Sequence, residues 1–140
     1  IFENPQKEKT KEFINRVRSF NRHIDSPDFD LYNMNAGIEQ FCEKHAFSAE
    51  MINNILSIVE ELLILCRAHS ETIDVDLRIA YSEKHDTLEI IFESAGQELN
   101  MIEDAGPDDI GVMIIKHNAE NIDYQRTAGQ NRLILTLKKG

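Results

Sequence analysis

The spacing of apolar residues changes from a helical to an alternating period in the middle of the chain, and this change constrains the fold more than any other feature. Residues 49–69 are apolar on most sides of a predicted helix. The apolar positions are Ile52, Ile55, Leu56, Ile58, Val59, Leu62, Leu63, Leu65 and Cys66. Residues 73–81 then alternate between apolar and polar, which is the pattern of a half-buried strand. We therefore expect a central helix covered by both a sheet and neighbouring helices.

The remaining predicted elements complete one two-layer domain. Further helices are predicted over 6–23, 33–45 and 109–119, and further strands over 87–93, 121–127 and 131–138. The expected fold class is α+β, a two-layer sandwich with the helices on one face of a mostly antiparallel sheet. Residues 1–32 are expected to form an N-terminal amphipathic helix and linker, and residues 33–140 the domain itself.

Charge and composition exclude several classes of function. The 140 residues carry a formal net charge of −10, whereas nucleic-acid binding needs a basic surface. The longest apolar run, Leu62 to Cys66, is far shorter than the roughly 20 residues of a membrane-spanning helix. No signal peptide is recognisable, and only two cysteines are present, which favours a reducing, cytoplasmic setting. The acids are concentrated in residues 86–109, which hold eight acidic residues and no Lys or Arg.

The C-terminal third carries an ordered set of motif positions. They are Gly111, Ile114, Ile115, Lys116, Tyr124, Gly129, Asn131, Leu133 and Leu135. This set resembles the end of the Bergerat-fold, histidine-kinase-like ATPase domains, in the branch of the anti-sigma-factor serine/threonine kinases. There the pattern Gly-Leu-x-Leu-Ile-Lys precedes Asp-x-x-x-Tyr and then Gly-x-Asn-x-Leu-x-Leu. The resemblance covers roughly residues 33–138 and implies a nucleotide site that includes Gly111 and Lys116.

The predicted central helix departs from this family at one chemically decisive position. The family motif Glu-Leu-x-x-Asn-Ala-x-x-His aligns with residues 61–69, so that Glu61 and His69 match. Leu65 stands where the family has an asparagine that coordinates magnesium. Magnesium requires hard oxygen ligands, and an isobutyl group has none. Glu61 would orient or deprotonate the nucleophile in an active relative, and the alternative is that it is a surface acid beside Glu60.

Two further nucleotide motifs are altered. The family's Asp-x-Gly, which contacts adenine, aligns with residues 93–96, so Glu93 would supply the carboxylate and Gly96 would supply the glycine after a slip of one residue. Gly111 is retained before the short helix, but Asp109 replaces the preceding glycine. Carboxylates at a helix N-terminus satisfy its free amides and repel phosphate, so we favour a plain acidic cap here.

Cysteine and histidine spacing raises the possibility of zinc. Cys42 and His45, like Cys66 and His69, lie three residues apart and could share a helix face. Both thiols, however, continue apolar stripes, and buried thiols are common core residues. We therefore predict no metal site.

The resemblance implies a regulatory protein-binding domain whose binding of Mg-ATP is impaired or lost, with no cofactor. The implied partners are a sigma factor, an anti-sigma antagonist or an attached domain, in a bacterial cytoplasmic signalling system and commonly as a homodimer. One alternative is an active ATP-binding serine/threonine kinase that uses ATP and magnesium and acts on an anti-sigma antagonist, with Glu61 as its catalytic residue. Another is a structural dimerisation domain of a larger signalling or transport protein.

Overall fold

The computed structural model describes residues 17–26, 28–69 and 73–138. Its elements are β1 (Val17–Ile24), α1 (Leu31–Lys44), α2 (Ala49–His69), β2 (Val75–Ser82), β3 (Thr87–Ala95), α3 (Met101–Ala105), α4 (Ile110–Asn118), β4 (Asn121–Thr127) and β5 (Gln130–Lys138). In the described part of the chain, no helix is long and apolar enough to span a membrane.

The five strands form one sheet in the order β1-β2-β3-β5-β4, and every neighbouring pair is antiparallel. Alternate residues of β2, β3 and β5 are buried under the helices, as the period of two in the sequence predicts. The predicted α+β sandwich is therefore confirmed.

Helix α2 is the centre of the core. It spans the predicted residues 49–69, and Ile55, Ile58, Val59 and Leu62 are fully buried. The Ser48 hydroxyl accepts a hydrogen bond from the Met51 amide at 3.1 Å, and this cap stabilises the first turn. Because α2 packs against both α3 and α4, it brings the loop after β3 and the start of α4 to its own C-terminal half.

The predicted helix over 6–23 is wrong where the structure tests it. Residues 17–24 form β1 and pair with β2, so that Phe20 lies opposite Ile79 and Ile24 opposite Val75. The helical interpretation failed because positions four residues apart share a face in a strand as well as in a helix. Residues 6–16 lie outside the described part of the chain.

Residues 94–108, for which no helix or strand is predicted, contain a short helix. Residues 101–105 form α3, and the Asn100 side chain accepts a hydrogen bond from the Glu103 amide at 3.4 Å. Met101 and Ile102 are buried in the core cluster. Five residues are too few to show a clear helical period, so packing determines this element.

His23 connects β1 to the beginning of β2 through two carboxylates. Its Nδ1 lies 2.6 Å from Asp76 Oδ1, and its Nε2 lies 2.9 Å from Asp74 Oδ1. Two acceptors require both ring nitrogens to donate, which fits the protonated imidazolium. The hydrogen bond to Asp76, with the negative charges of Asp76, Asp74 and Asp25, raises the pKa of His23.

We expect this bridge to stabilise the fold at low pH. Because the folded state binds the His23 proton more tightly, the contribution is complete below the ordinary pKa of 6.5 and is lost as the pH rises through the raised pKa. The effect should weaken in high salt, since the groups are exposed. An NMR titration should show the pKa of His23 falling in Asp76→Asn. An unchanged pKa would contradict the bridge.

Candidate functional site

A cavity of about 420 Å³ opens where the C-terminal end of α2 meets the end of β3, and we call it the Ser94 cavity. Its lining residues are Cys66, His69, Asp74, Val75, Ser94, Ala95, Gly96, Gln97, Glu98, Leu99 and Asn131. Three of the family's motif positions, His69, Gly96 and Asn131, therefore meet in one place. This cavity is where the resemblance puts the base of a nucleotide.

Asn131 holds the loop after β3 against the sheet. It is 6% exposed and is the one buried polar residue of the described part of the chain. Its Oδ1 accepts hydrogen bonds from the Leu99 amide (2.9 Å), the Tyr124 hydroxyl (2.7 Å) and Arg126 Nη1 (3.2 Å), while its Nδ2 donates to the Gln97 carbonyl (2.9 Å) and to Ser94 Oγ (3.5 Å). The wall of the Ser94 cavity formed by residues 97–99 therefore depends on one amide.

Glu93 does not reach this cavity. It forms an ion pair with Arg132 at 3.5 Å, on the sheet face opposite the helices. Successive side chains of a strand point to opposite faces, so the neighbouring Ser94 faces the helices instead. The position two residues before Gly96, where Asp-x-Gly has its carboxylate, is Ser94. The spacing of two residues between Ser94 and Gly96 was the signal in the sequence that could have identified Ser94 as the aligned position.

Gly96 lies in the cavity wall with a backbone conformation that favours glycine. Its φ is +122°, and its amide donates a hydrogen bond to the Gly129 carbonyl at 3.1 Å. A side chain at this position would be strained, so the glycine is required by the turn that follows β3. The backbone at this point remains open on the cavity side, since nothing lies within 4 Å of an added Cβ.

The N-terminus of α4 is the second part of the candidate site, and carboxylates surround it. Asp109 caps the helix by accepting a hydrogen bond from the Val112 amide at 3.0 Å. A methyl group at Gly111 would lie 2.7 Å from Glu61 Oε1 and 3.1 Å from Asp109 Oδ1. The Glu61 carboxylate therefore lies against Gly111, the position at which the resemblance puts phosphate.

Leu65 is one helical turn after Glu61, and its side chain is 3% exposed. It belongs to the same hydrophobic cluster as Leu62 and Ile115. Leu65, at the position where the resemblance puts a magnesium ligand, is therefore a core side chain.

Lys116 is not brought to the Ser94 cavity. It lines a groove of about 790 Å³ beside the edge strand β4, which we call the edge-strand groove. The other lining residues are Glu98, Asn100, Ile102, Glu103, Asp104, Ile122, Tyr124 and Leu133. Only Glu98 is shared with the Ser94 cavity, so the predicted site residues Gly96 and Lys116 lie at two different openings.

The cysteine and histidine residues do not converge as a zinc set requires. His45 packs against the rings of Phe41 (4.8 Å between centroids) and Tyr81 (5.8 Å), whereas His69 lines the Ser94 cavity. Burial raises the pKa of the Cys42 thiol to about 12 and also raises that of Cys66. Among residues 17–26, 28–69 and 73–138, no group of three or more His, Cys, Asp or Glu side chains could hold a metal ion.

Solved structures identify the fold. A structure of the RsbU and RsbW domains of Rv1364c from Mycobacterium tuberculosis matches 87% of this chain with a TM-score of 0.65 and 12% sequence identity. A chain of the SiaB–SiaC complex from Pseudomonas aeruginosa matches 98% of this chain, and 99% of its own length, with a TM-score of 0.62 and 7% identity. The chain has the fold of these two structures. The resemblance seen in the sequence motifs is confirmed at this level.

The match to the Mycobacterium tuberculosis structure covers 32% of that chain, so the present chain spans about a third of its length. No protein-family model matches the sequence, and no curated protein shows significant similarity to it. At 12% and 7% identity the two structural matches establish the fold alone.

Proposed function

We propose that this chain is a regulatory protein-binding domain in which the anti-sigma-kinase fold has lost, or nearly lost, the binding of Mg-ATP. The observation that carries the proposal is the burial of Leu65 in the core, at 3% exposure, where the fold's ATP-binding members place a magnesium ligand. A hydrocarbon side chain offers no lone pair to a hard cation.

The carboxylates at the start of α4 support the same conclusion. A helix N-terminus attracts phosphate because its first amides are free and its dipole is positive there. In this chain Asp109 already accepts from the Val112 amide, and Glu61 lies against Gly111. A triphosphate would have to displace a hydrogen-bonded carboxylate and would be repelled by both negative charges.

A protein partner is proposed from the fold and its neighbours. One structural neighbour is the SiaB–SiaC complex, and the other contains both RsbU and RsbW domains. We propose a sigma factor, an anti-sigma antagonist or an attached domain as the partner, in the bacterial cytoplasm and with the chain as a homodimer. Two free, buried cysteines are compatible with a reducing compartment.

A thermal-shift measurement tests the proposal. We expect 1 mM ATP with magnesium to leave the Tm unchanged, because only ligands that bind the native state stabilise it. Binding at 100 times Kd would add about 2.7 kcal/mol, or roughly 8 °C for a chain of this size. ATP without magnesium is the matched control. A rise in Tm that requires magnesium would contradict the proposal.

The active-kinase alternative has one observation in its favour. Glu61 is retained and its carboxylate touches Gly111, the point at which the family binds phosphate. Calorimetric titration of Mg-ATP separates the two functions, since a kinase must bind its co-substrate. If ATP binds, Glu61→Gln should abolish phosphoryl transfer while leaving the affinity within a few-fold.

A further inference from the structure

The edge-strand groove has an apolar floor that the helices cover only in part. Ile122 and Tyr124 are on the helix-facing side of β4, where they pack against the core and yet remain half-exposed. Leu133 lies opposite Tyr124 on β5 and continues this floor. Within the described residues β4 is an edge strand that pairs with β5 alone. The outer backbone groups of an edge strand can pair with another strand.

The walls of the groove are acidic. Glu98, Glu103 and Asp104 line it together with a single cation, Lys116. None of the three carboxylates forms an ion pair with any residue that the structure describes. They come from the stretch 86–109 that contains no Lys or Arg, so the sequence supplies no neighbouring base to neutralise them.

The spacing of these acids argues against a metal ion as the ligand. No group of three carboxylates in the described residues is close enough to hold one. Separate carboxylates above an apolar floor instead complement separate cationic side chains on a partly apolar ligand. In an extended peptide, alternate side chains point the same way, as those of Ile122 and Tyr124 do.

We propose that the edge-strand groove binds an extended, basic and amphipathic segment of a partner protein. Its apolar side chains would lie on Ile122, Tyr124 and Leu133, and its Lys or Arg side chains would face Glu98, Glu103 and Asp104. Pairing with the free edge of β4 would add backbone hydrogen bonds. This inference rests on the proposed protein-binding function and specifies the surface and the chemistry of the partner.

The test uses a labelled eight-residue peptide of alternating lysine and valine, with a glutamate–valine peptide as its control. We expect fluorescence anisotropy to show binding of the lysine peptide, weakened by salt, and none of the glutamate peptide. The pair Glu103→Lys and Asp104→Lys should weaken binding by about tenfold or more. The exposed pair Glu39→Lys and Glu43→Lys on α1 changes the net charge equally and should have less than about a twofold effect.

A second measurement on the unmodified protein does not depend on the folding of variants. Amide NMR shifts caused by the lysine peptide should concentrate in β4, α3 and the last turn of α4. The inference would be overturned by shifts elsewhere, by equal losses in the two charge-reversed pairs, or by no binding at millimolar peptide. Any of these results, together with an unchanged Tm in Mg-ATP, would contradict peptide binding in the edge-strand groove but not the proposed function. Peptide binding together with an ATP-induced rise in Tm would support binding in the edge-strand groove and contradict the proposed loss of Mg-ATP binding.

Discussion

Replacing Asn131 with alanine is expected to lower the free energy of unfolding by about 3–5 kcal/mol, because the loss of one buried amide would remove five hydrogen bonds at once. The side chain is 6% exposed and bonds to five groups, among them the Leu99 amide and the Tyr124 hydroxyl. Each hydrogen bond of this kind contributes about 0.5–1.5 kcal/mol, so the sum is a large fraction of the stability of a domain. Urea unfolding monitored by circular dichroism measures it.

Gln125→Ala is the matched control for the alanine replacement. Gln125 is an exposed amide on the neighbouring strand and donates only to Asp123, at 3.1 Å. Its loss should change the stability by less than about 0.5 kcal/mol. Hydrogen exchange gives a local readout, since the Leu99 amide should lose protection in Asn131→Ala before the strands do. Equal stability of the two variants would show that Asn131 does not hold the loop.

Leu65→Asn is expected to destabilise the protein by about 3–6 kcal/mol, although it restores the residue that the family uses for magnesium. Removing a buried leucine side chain costs about 2–5 kcal/mol, and an amide without partners in the same core adds about 1–3 kcal/mol. Ile64→Asn introduces the same amide one residue earlier at a side chain that is 51% exposed, so its effect should be below about 1 kcal/mol. Urea unfolding of the three proteins tests this directly.

The same variant tests the proposed loss of nucleotide binding. We expect Mg-ATP to leave the Tm of Leu65→Asn unchanged, because Asp109 continues to cap α4. Replacing that cap by glycine costs only a few tenths of a kcal/mol, so Asp109→Gly can be added without much further loss. A rise in Tm with Mg-ATP in the double variant alone would identify both departures as the cause. A rise in Leu65→Asn by itself would show that Asp109 is no obstacle.

Much of the architecture could be predicted because the spacing of apolar residues indicates which side chains are buried. The bounds of α2 match the prediction, and those of β4 and α4 agree to within one residue. These segments carry either a long helical period or a clean alternation. The prediction failed for residues 17–24, since the spacing of Phe20 and Ile24 fits either a helix or a strand. Only the pairing with β2 decides for the strand.

The candidate site was harder to predict than the fold. The order of the family's motifs predicted Gly96, Gly111 and Glu61 as site residues and Leu65 as a departure from the family. The motif alignment assigned the adenine contact to Glu93, but this side chain lies on the face of the sheet away from the helices. A shift of one residue along a strand exchanges the two faces. The alignment also gave no indication that Asn131 would hold the loop after β3, since those contacts join residues more than 30 positions apart.

The amino-acid sequence by itself determined the central helix, the alternating strands and the absence of an oxygen ligand at position 65, because these depend on residue type and on local period. Only the tertiary structure decided that β1 is a strand, that Glu61 lies against Gly111 at the start of α4, and that Lys116 lines a separate groove. Those outcomes depend on which distant segments pack together. The physical reason is that burial and hydrogen bonding between remote residues override a weak local pattern.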